Sequence, residues 1–435
     1  MKKTIKLAVV AALALGATSA FATNGSTLIG MGAKSRGMAG TSIGISHGAE
    51  SALSNPAMIT GIKKDHEISF GGTLFMPNVK TDGGSNGTNW AESDANMNMI
   101  PEVSLATKVN DNFYWGIGMW GTAGMGVDYR DSTNPGTMNM VTNLQIMQFG
   151  VPLAYTTAGF TVAIAPILQY GALDINYKTD LGHVQYDQQG NPVGPVGAET
   201  VGEGVAQDLA FGYTLGLSYQ MEGLTIGAVY KAEIEMDYKG QLSSATQPFV
   251  DFGIFPAAMK DKLSTPAEMG VGVSYAMGEH TIALDYKQIK WSTASGYEDF
   301  GWDDQNVIAV GYEYATKGWA VRLGYNYASN PIKDAGSMTV AQAGAAAGGP
   351  NIYPYLGGNA LNTFNLLGFP ATTESHIGVG GSYVVSDTTS IDVAYTYAPE
   401  TETTLQTMPT PTGQDVKTTV KHSQTALTVQ LTYAF

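Results

Sequence analysis

The chain has 435 residues, a formal charge of −15, 14% charged and 44% hydrophobic residues, and no cysteine. The acidity argues against a nucleic-acid partner, because phosphate binding needs a basic face, and the lack of cysteine excludes disulfides and thiolate metal sites. No stretch after the N-terminus offers about 18 uninterrupted apolar residues, which excludes helical membrane spans, whereas 54 glycines and 23 tyrosines suit a strand-rich protein.

The first residues carry Lys2, Lys3 and Lys6, an apolar run from Leu7 to Leu15, and small residues ending in Ala20, Phe21 and Ala22. This pattern reads as a signal peptide over residues 1–22, so the mature chain begins at Thr23 and is exported. The three leader lysines are part of the −15 and the leader holds no acid, so the mature chain carries −18. Residues 23–61 are rich in small side chains and show no strand alternation, as expected of a plug packed closely against a wall.

From residue 62 to 435 the chain alternates with period two. Fourteen strands are expected near 66–75, 100–109, 113–120, 144–156, 160–175, 207–219, 224–238, 265–276, 281–290, 304–315, 319–327, 374–384, 390–398 and 423–435. In the seventh, Leu224, Ile226, Ala228, Tyr230, Ala232, Ile234, Met236 and Tyr238 share one face, opposite Lys231, Glu233, Glu235 and Asp237. The last strand alternates Leu427, Val429, Leu431, Tyr433 and Phe435 with small or polar residues and ends on that aromatic. Short connections alternate with long ones, as in barrels with tight periplasmic turns and long outer loops. The fold class is therefore all-β: a transmembrane antiparallel barrel of about 14 strands in a Gram-negative outer membrane, surrounded by lipid and lipopolysaccharide. Such a barrel encloses a lumen that needs partial filling, and residues 23–61 are the expected hatch. A soluble sandwich also alternates, but does not explain the leader, the strand lengths and the terminal aromatic together.

Three sets of residues point to a family. They are the run Gly30-Met31-Gly32-Ala33-Lys34-Ser35-Arg36-Gly37-Met38-Ala39-Gly40, the triplet Asn55-Pro56-Ala57, and Tyr114-Trp115-Gly116-Ile117-Gly118 leading to Gly124-Met125-Gly126. With Thr265-Pro266, Gly270-Val271-Gly272, Asp285 and Trp291 downstream, the chain resembles the FadL/OmpP1/TodX family of outer-membrane transporters for hydrophobic compounds. The resemblance implies a monomer with no cofactor, passing fatty acids or other apolar molecules passively. It also implies an N-terminal hatch, here Gly32, Ser35, Gly37, Gly40, Asn55, Pro56 and Ala57, and sideways exit at a kinked third strand. The glycines Gly116, Gly118, Gly121, Gly124 and Gly126 match that region. Strand glycines also mark bends and gaps on physical grounds, or simply make room for the hatch. The chain departs from the family pattern with Glu50 near a position often held by aspartate, Met58 after the triplet, and Ser26 after Gly25.

The loop 239–264 holds Phe249, Val250, Phe252, Ile254, Phe255 and Met259, expected as an outward-facing apolar site unless they only pack the loop. Ile352, Tyr353, Tyr355, Leu356, Phe364, Leu366, Leu367 and Phe369 offer a second wall. Lys108, Lys231, Lys287 and Arg322 are candidate lumen bases for a carboxylate headgroup. The lumen acids Glu233, Glu235, Asp237, Glu268, Asp285 and Asp392 provide an alternative, in which the bases neutralise neighbouring carboxylates. The histidines 47, 66, 183, 280, 376 and 422 lack zinc spacing, and no Ser/His/Asp set is identifiable, so neither a catalytic nor a metal site is expected. There is no nucleotide-binding GxxxxGK[ST] motif to energise uptake. A nonselective porin and an aromatic-hydrocarbon transporter remain the alternatives to a fatty-acid transporter.

Overall fold

The computed structural model describes residues 23–179, 184–186, 192–195 and 199–435; the expected signal peptide and His183 lie outside the described residues. Fourteen antiparallel strands close a barrel. They are β1 His66–Thr81, β2 Asn98–Lys108, β3 Phe113–Asp128, β4 Val141–Gly150 resuming as Leu153–Thr157, β5 Phe160–Thr179, β6 Ala206–Met221 and β7 Leu224–Lys231. The circuit continues through β8 Glu268–Met277, β9 His280–Ile289, β10 Gln305–Ala315, β11 Trp319–Ala328, β12 Ser375–Ser386, β13 Thr389–Thr407 and β14 Val416–Ala434. Each strand pairs with its neighbours in sequence, and β14 returns to β1 from Glu67↔Ala434 to Thr81↔Val420, which closes the ring.

Alternation sorts the side chains as the membrane requires. Along β11, Trp319, Val321, Leu323, Tyr325 and Tyr327 face outward while Ala320, Arg322, Gly324, Asn326 and Ala328 are buried. Trp319 and Tyr327 stand eight residues apart, about 27 Å along a strand. With a barrel strand's tilt, they frame an apolar band of about 20 Å with an aromatic at each border. At one end the turns are tight: Ala158-Gly159 and Glu222-Gly223 both have positive φ at two successive residues, the geometry that continues the strand twist through a two-residue hairpin.

The lumen is filled from the N-terminus. Residues Thr23–Asn24 pair with Thr27–Leu28 as a small hairpin; helix α1, Gly32–Gly37, and the 3-10 turns Gly48–Leu53 and Pro56–Gly61 follow, almost all buried. Wall glycines let this hatch dock backbone to backbone. A Cβ on Gly44 would lie 2.3 Å from the carbonyl carbon of Gly272 in β8, and one on Gly324 in β11 would lie 2.2 Å from that of Met38. Above the hatch, helices α2, Gln241–Asp251, and α4, Gly357–Leu367, form a cap; the intervening α3, Val340–Ala347, starts with a Thr339/Gln342 capping box.

Two strands differ from the sequence expectation. The expected strand 144–156 is broken at Val151-Pro152, where proline has no N–H for a ladder. The expected strand 224–238 leaves the barrel after Lys231, and Ile234–Asp237 instead pairs with Lys262–Thr265 as a separate ribbon. The face assignment fails there: Ile234, Met236 and Tyr238 are buried, while Glu233 and Glu235 are exposed and bond Ser295. Glu233, Glu235 and Asp237 are therefore not lumen acids. Folding the ribbon inward buries three large apolar side chains over the lumen, which outweighs continuing the wall beyond the hydrocarbon layer.

Candidate functional site

The hatch is fastened by charges that the barrel wall supplies. Arg36 of α1, 1% exposed, forms a buried ion pair with Glu102 of β2 and hydrogen-bonds Thr73 of β1. Glu50 bridges Lys34 at 3.3 Å and accepts from Gln430 of β14 at 2.6 Å. Its carboxylate occupies the space that a Cβ on Gly32 would need, and Gly32 also has φ of +81°, so the first helix position admits only glycine. Asp285 of β9 accepts the backbone N–H groups of Ser42 at 2.6 Å, Ile43 at 2.8 Å and Gly44 at 3.3 Å. Asn55 donates to the carbonyls of Ile43 and Leu217 and caps its own turn by accepting from Ala57 N–H, with Pro56 at the turn's first position. Gly37 approaches Gly380 of β12, Gly40 approaches the Ile29 carbonyl, and Ser35 and Ala57 are fully buried.

Between hatch and wall lies a cavity. Leu28, Ile29, Met31, Val229 and Val307 give it apolar walls, and Lys231, Glu268 and Lys287 face it. Both ammoniums reach the same carboxylate oxygen of Glu268, Lys231 at 3.5 Å and Lys287 at 3.3 Å. Asp285 also lines the cavity but spends its oxygens on the hatch amides. One carboxylate thus holds both lysines by ion pairs.

The other two candidate bases are not in this cavity. Arg322 lies nearer the short-turn end of its strand, 2.6 Å from Glu313 and 2.7 Å from Ser382, with Asp392 at 4.0 Å. Lys108 continues the inward row of β2 at its short-turn end, where it is paired with Asp111 at 2.8 Å. For Arg322 and Lys108 the neutralising reading holds.

The apolar loop residues are largely interior. Phe249 and Ile254 are buried, with the Phe249 ring 5.2 Å from Phe364 of α4 and 5.6 Å from Phe255. These two pack the cap rather than face outward, because a loop this long needs its own core. Phe252, Phe255 and Met259 are half-buried at its margin, and the Phe252 ring meets Tyr353 at 6.0 Å across the two loops. Replacing Phe249 with alanine is expected to weaken the cap by about 3–5 kcal/mol, seen as faster proteolysis in the 239–264 loop while the barrel stays resistant. Beneath the cap, Trp291, Tyr297 and Trp302 meet edge-on or tilted, with centroids 4.5–5.1 Å apart. Burial pushes the Tyr297 phenol above its ordinary pKa, so it meets the Ser26 hydroxyl as a neutral group at 3.4 Å.

The wall is interrupted at β3. Its pairing with β2 ends at Glu102↔Trp120, and a register shift between Gly121 and Ala123 bulges Thr122 from the ladder with β4. Beyond that point the free edge of β3 takes the hatch hairpin, through Thr27↔Ala123 and Gly124 N–H to the Ser26 carbonyl at 2.9 Å. The glycines divide in role. A Cβ on Gly118 would meet Leu53 at 2.8 Å and Ala52 at 3.1 Å, so it seats the hatch; Gly116 and Gly126 lie hard against the carbonyls of Leu105 and Thr142. Gly121, Gly124 and Gly126 lie along the bulged stretch that has lost β2 but stays paired with β4.

Comparison with known proteins agrees with this architecture. Residues 7–340 match the model of the family described as outer membrane protein transport protein (OMPP1/FadL/TodX). The chain belongs to this family. A relative in Escherichia coli O6:H1, named long-chain fatty acid transport protein, is 24% identical over 319 residues, covering 64% of this chain and 71% of its own. Two solved structures share the fold. A Pseudomonas aeruginosa FadL homologue has a TM-score of 0.69 at 15% identity, covering 94% of this chain and all of its own. The Pseudomonas putida toluene transporter TodX has a TM-score of 0.65 at 17% identity, covering 95% and 100%. As a member of this family the chain is an outer-membrane transport barrel, not a hydrolase.

Sequence reasoning missed one network in this family member. Thr23 N–H donates to Gln424 Oε1 at 3.1 Å, which also takes His376 Nε2–H at 3.3 Å; the Gln424 amide N–H reaches His422 Nε2 at 3.1 Å, and His422 Nδ1–H donates to the Pro370 carbonyl at 2.7 Å. Because a carbonyl only accepts, both tautomers and the glutamine orientation follow from that last bond. No spacing in sequence links residues 23, 376 and 424; only barrel closure brings them together.

Proposed function

We propose that the protein carries long-chain fatty acids or similar carboxylate amphiphiles passively across the outer membrane as a monomer. The observation that carries this reading is the Lys231–Glu268–Lys287 cluster in a cavity walled in part by Leu28, Ile29, Met31, Val229 and Val307: a hydrocarbon has no use for two ammoniums there, whereas a carboxylate buried without a base is costly. The acyl chain enters along the half-buried Phe252, Phe255 and Met259 at the cap margin, and Lys231 and Lys287 meet the headgroup. Exit runs sideways past Gly121, Gly124 and Gly126 once the hatch hairpin leaves the β3 edge. The hatch keeps hydrated ions out meanwhile, which separates this barrel from an open porin.

Side-by-side titration of the purified barrel with oleate and toluene tests the cargo. Saturable oleate binding that weakens in Lys231→Met is expected, and saturable toluene binding without oleate binding overturns the fatty-acid reading while sparing transport. The aromatic cap, with Phe249, Phe300, Phe364 and Phe369 in contact, is what favours the aromatic-hydrocarbon reading. For the exit, bulky residues at Gly124 and Gly126 together are expected to cut uptake several-fold at unchanged surface abundance. Unaltered uptake would rule out passage there.

A further inference from the structure

We propose that Thr27, Thr122 and Lys231 form a second carboxylate station at the β3 bulge, which admits carboxylate amphiphiles in preference to uncharged molecules of the same length. The inference rests on the transport reading above and adds to it a site that discriminates on the headgroup.

A second cavity adjoins the first and shares Lys231 and Glu268 with it, but extends towards β3, where Thr27 and Thr122 line it. Thr122 is the residue extruded by the register shift, and Thr27 of the hatch lies opposite Ala123, the next residue along. Both hydroxyls are buried, at 3% and 4% residue exposure, and neither has a hydrogen-bond partner among the described residues. An unsatisfied buried hydroxyl is unfavourable, and two beside one ammonium make a donor set matched to a carboxylate. Met31, Ile167 and Ile234 also line it and offer apolar wall for the methylenes next to the headgroup.

Lys231 is the hinge between the two cavities. When it turns from Glu268 to a ligand, Lys287 still holds Glu268 at 3.3 Å, so no buried charge is stranded. A carboxylate can thus pass from the Lys287 side to the bulge without losing an ionic partner. A neutral molecule gains nothing from the two hydroxyls.

The test is uptake of oleate and of methyl oleate, which share the acyl chain and differ in the headgroup charge, by cells carrying the full-length protein. The double variant Thr27→Val/Thr122→Val keeps the side-chain shape and removes both hydroxyls. Oleate uptake is expected to fall about tenfold, the scale of one well-made hydrogen bond to a charged group, with methyl oleate changed less than twofold. Restoring one hydroxyl with Thr122→Ser on Thr27→Val is expected to recover part of the loss. Equal losses for both ligands, or undiminished oleate uptake, overturn the station. Heat-modifiable gel mobility confirms folding, and oleate titration of the purified variants supplies a readout independent of surface abundance. If the wild-type protein moves neither ligand, the transport reading itself fails, an outcome distinct from a wild type that moves both and variants that do not discriminate.

Discussion

Asp285→Ala is expected to free the hatch and turn a closed barrel into an ion-conducting one. One carboxylate gathers three successive backbone N–H groups, from Ser42, Ile43 and Gly44, at the point where Gly44 lies directly on Gly272. Hydrogen bonds to a charged group contribute about 1.5–3 kcal/mol each, and buried amides left unpaired add their own cost. Allowing for non-additivity, the docked hatch should lose about 4 kcal/mol, close to a thousandfold rise in the undocked population. Planar-bilayer recordings would show frequent open-channel steps where the wild type shows few. Asp285→Asn, which keeps one acceptor oxygen, should fall between. Unchanged conductance, with residues 42–44 still protected from protease, would show that the hatch is held elsewhere.

Breaking the Arg36–Glu102 pair is the second large effect. Both side chains are 2% exposed or less, and Arg36 also bonds Thr73 of β1, so α1 is tied to two strands at once. Arg36→Ala leaves an unpaired carboxylate inside the barrel and should cost about 3–5 kcal/mol. Replacing both partners with apolar residues of similar volume, Arg36→Met with Glu102→Leu, should recover most of that loss, because a buried pair is offset by its desolvation. The temperature at which the folded band converts to the unfolded one on gels reads this directly. If the double replacement is as unstable as the single, the pair contributes geometry that no apolar substitute reproduces.

The candidate bases show where sequence reasoning ends. Lys231, Lys287, Arg322 and Lys108 look alike along the chain. The pairing of strands decides that Lys231 stands opposite Glu268 and Gly270 opposite Lys287, so that two ammoniums reach one carboxylate. The same pairing puts Arg322 opposite Glu313 and leaves it neutralised. Phe249 and Ile254 likewise looked exposed because they sit in an outer loop. They are buried because a second loop, more than a hundred residues later, brings Phe364 against them.

An outer-membrane-type barrel with a small-residue N-terminal insert can be read from local signals in the chain. Period-two alternation, tight-turn residues and runs of small side chains are local signals that need no partner to be read. Where the seventh strand leaves the wall, how the hatch hairpin stoppers the β3 edge and which acids face which bases follow instead from long-range packing. Those outcomes depend on register and closure, which bring residues such as Thr23 and Gln424 within 3.1 Å across 401 positions of chain. Such contacts form only when the ring of strands shuts around the segment that fills it.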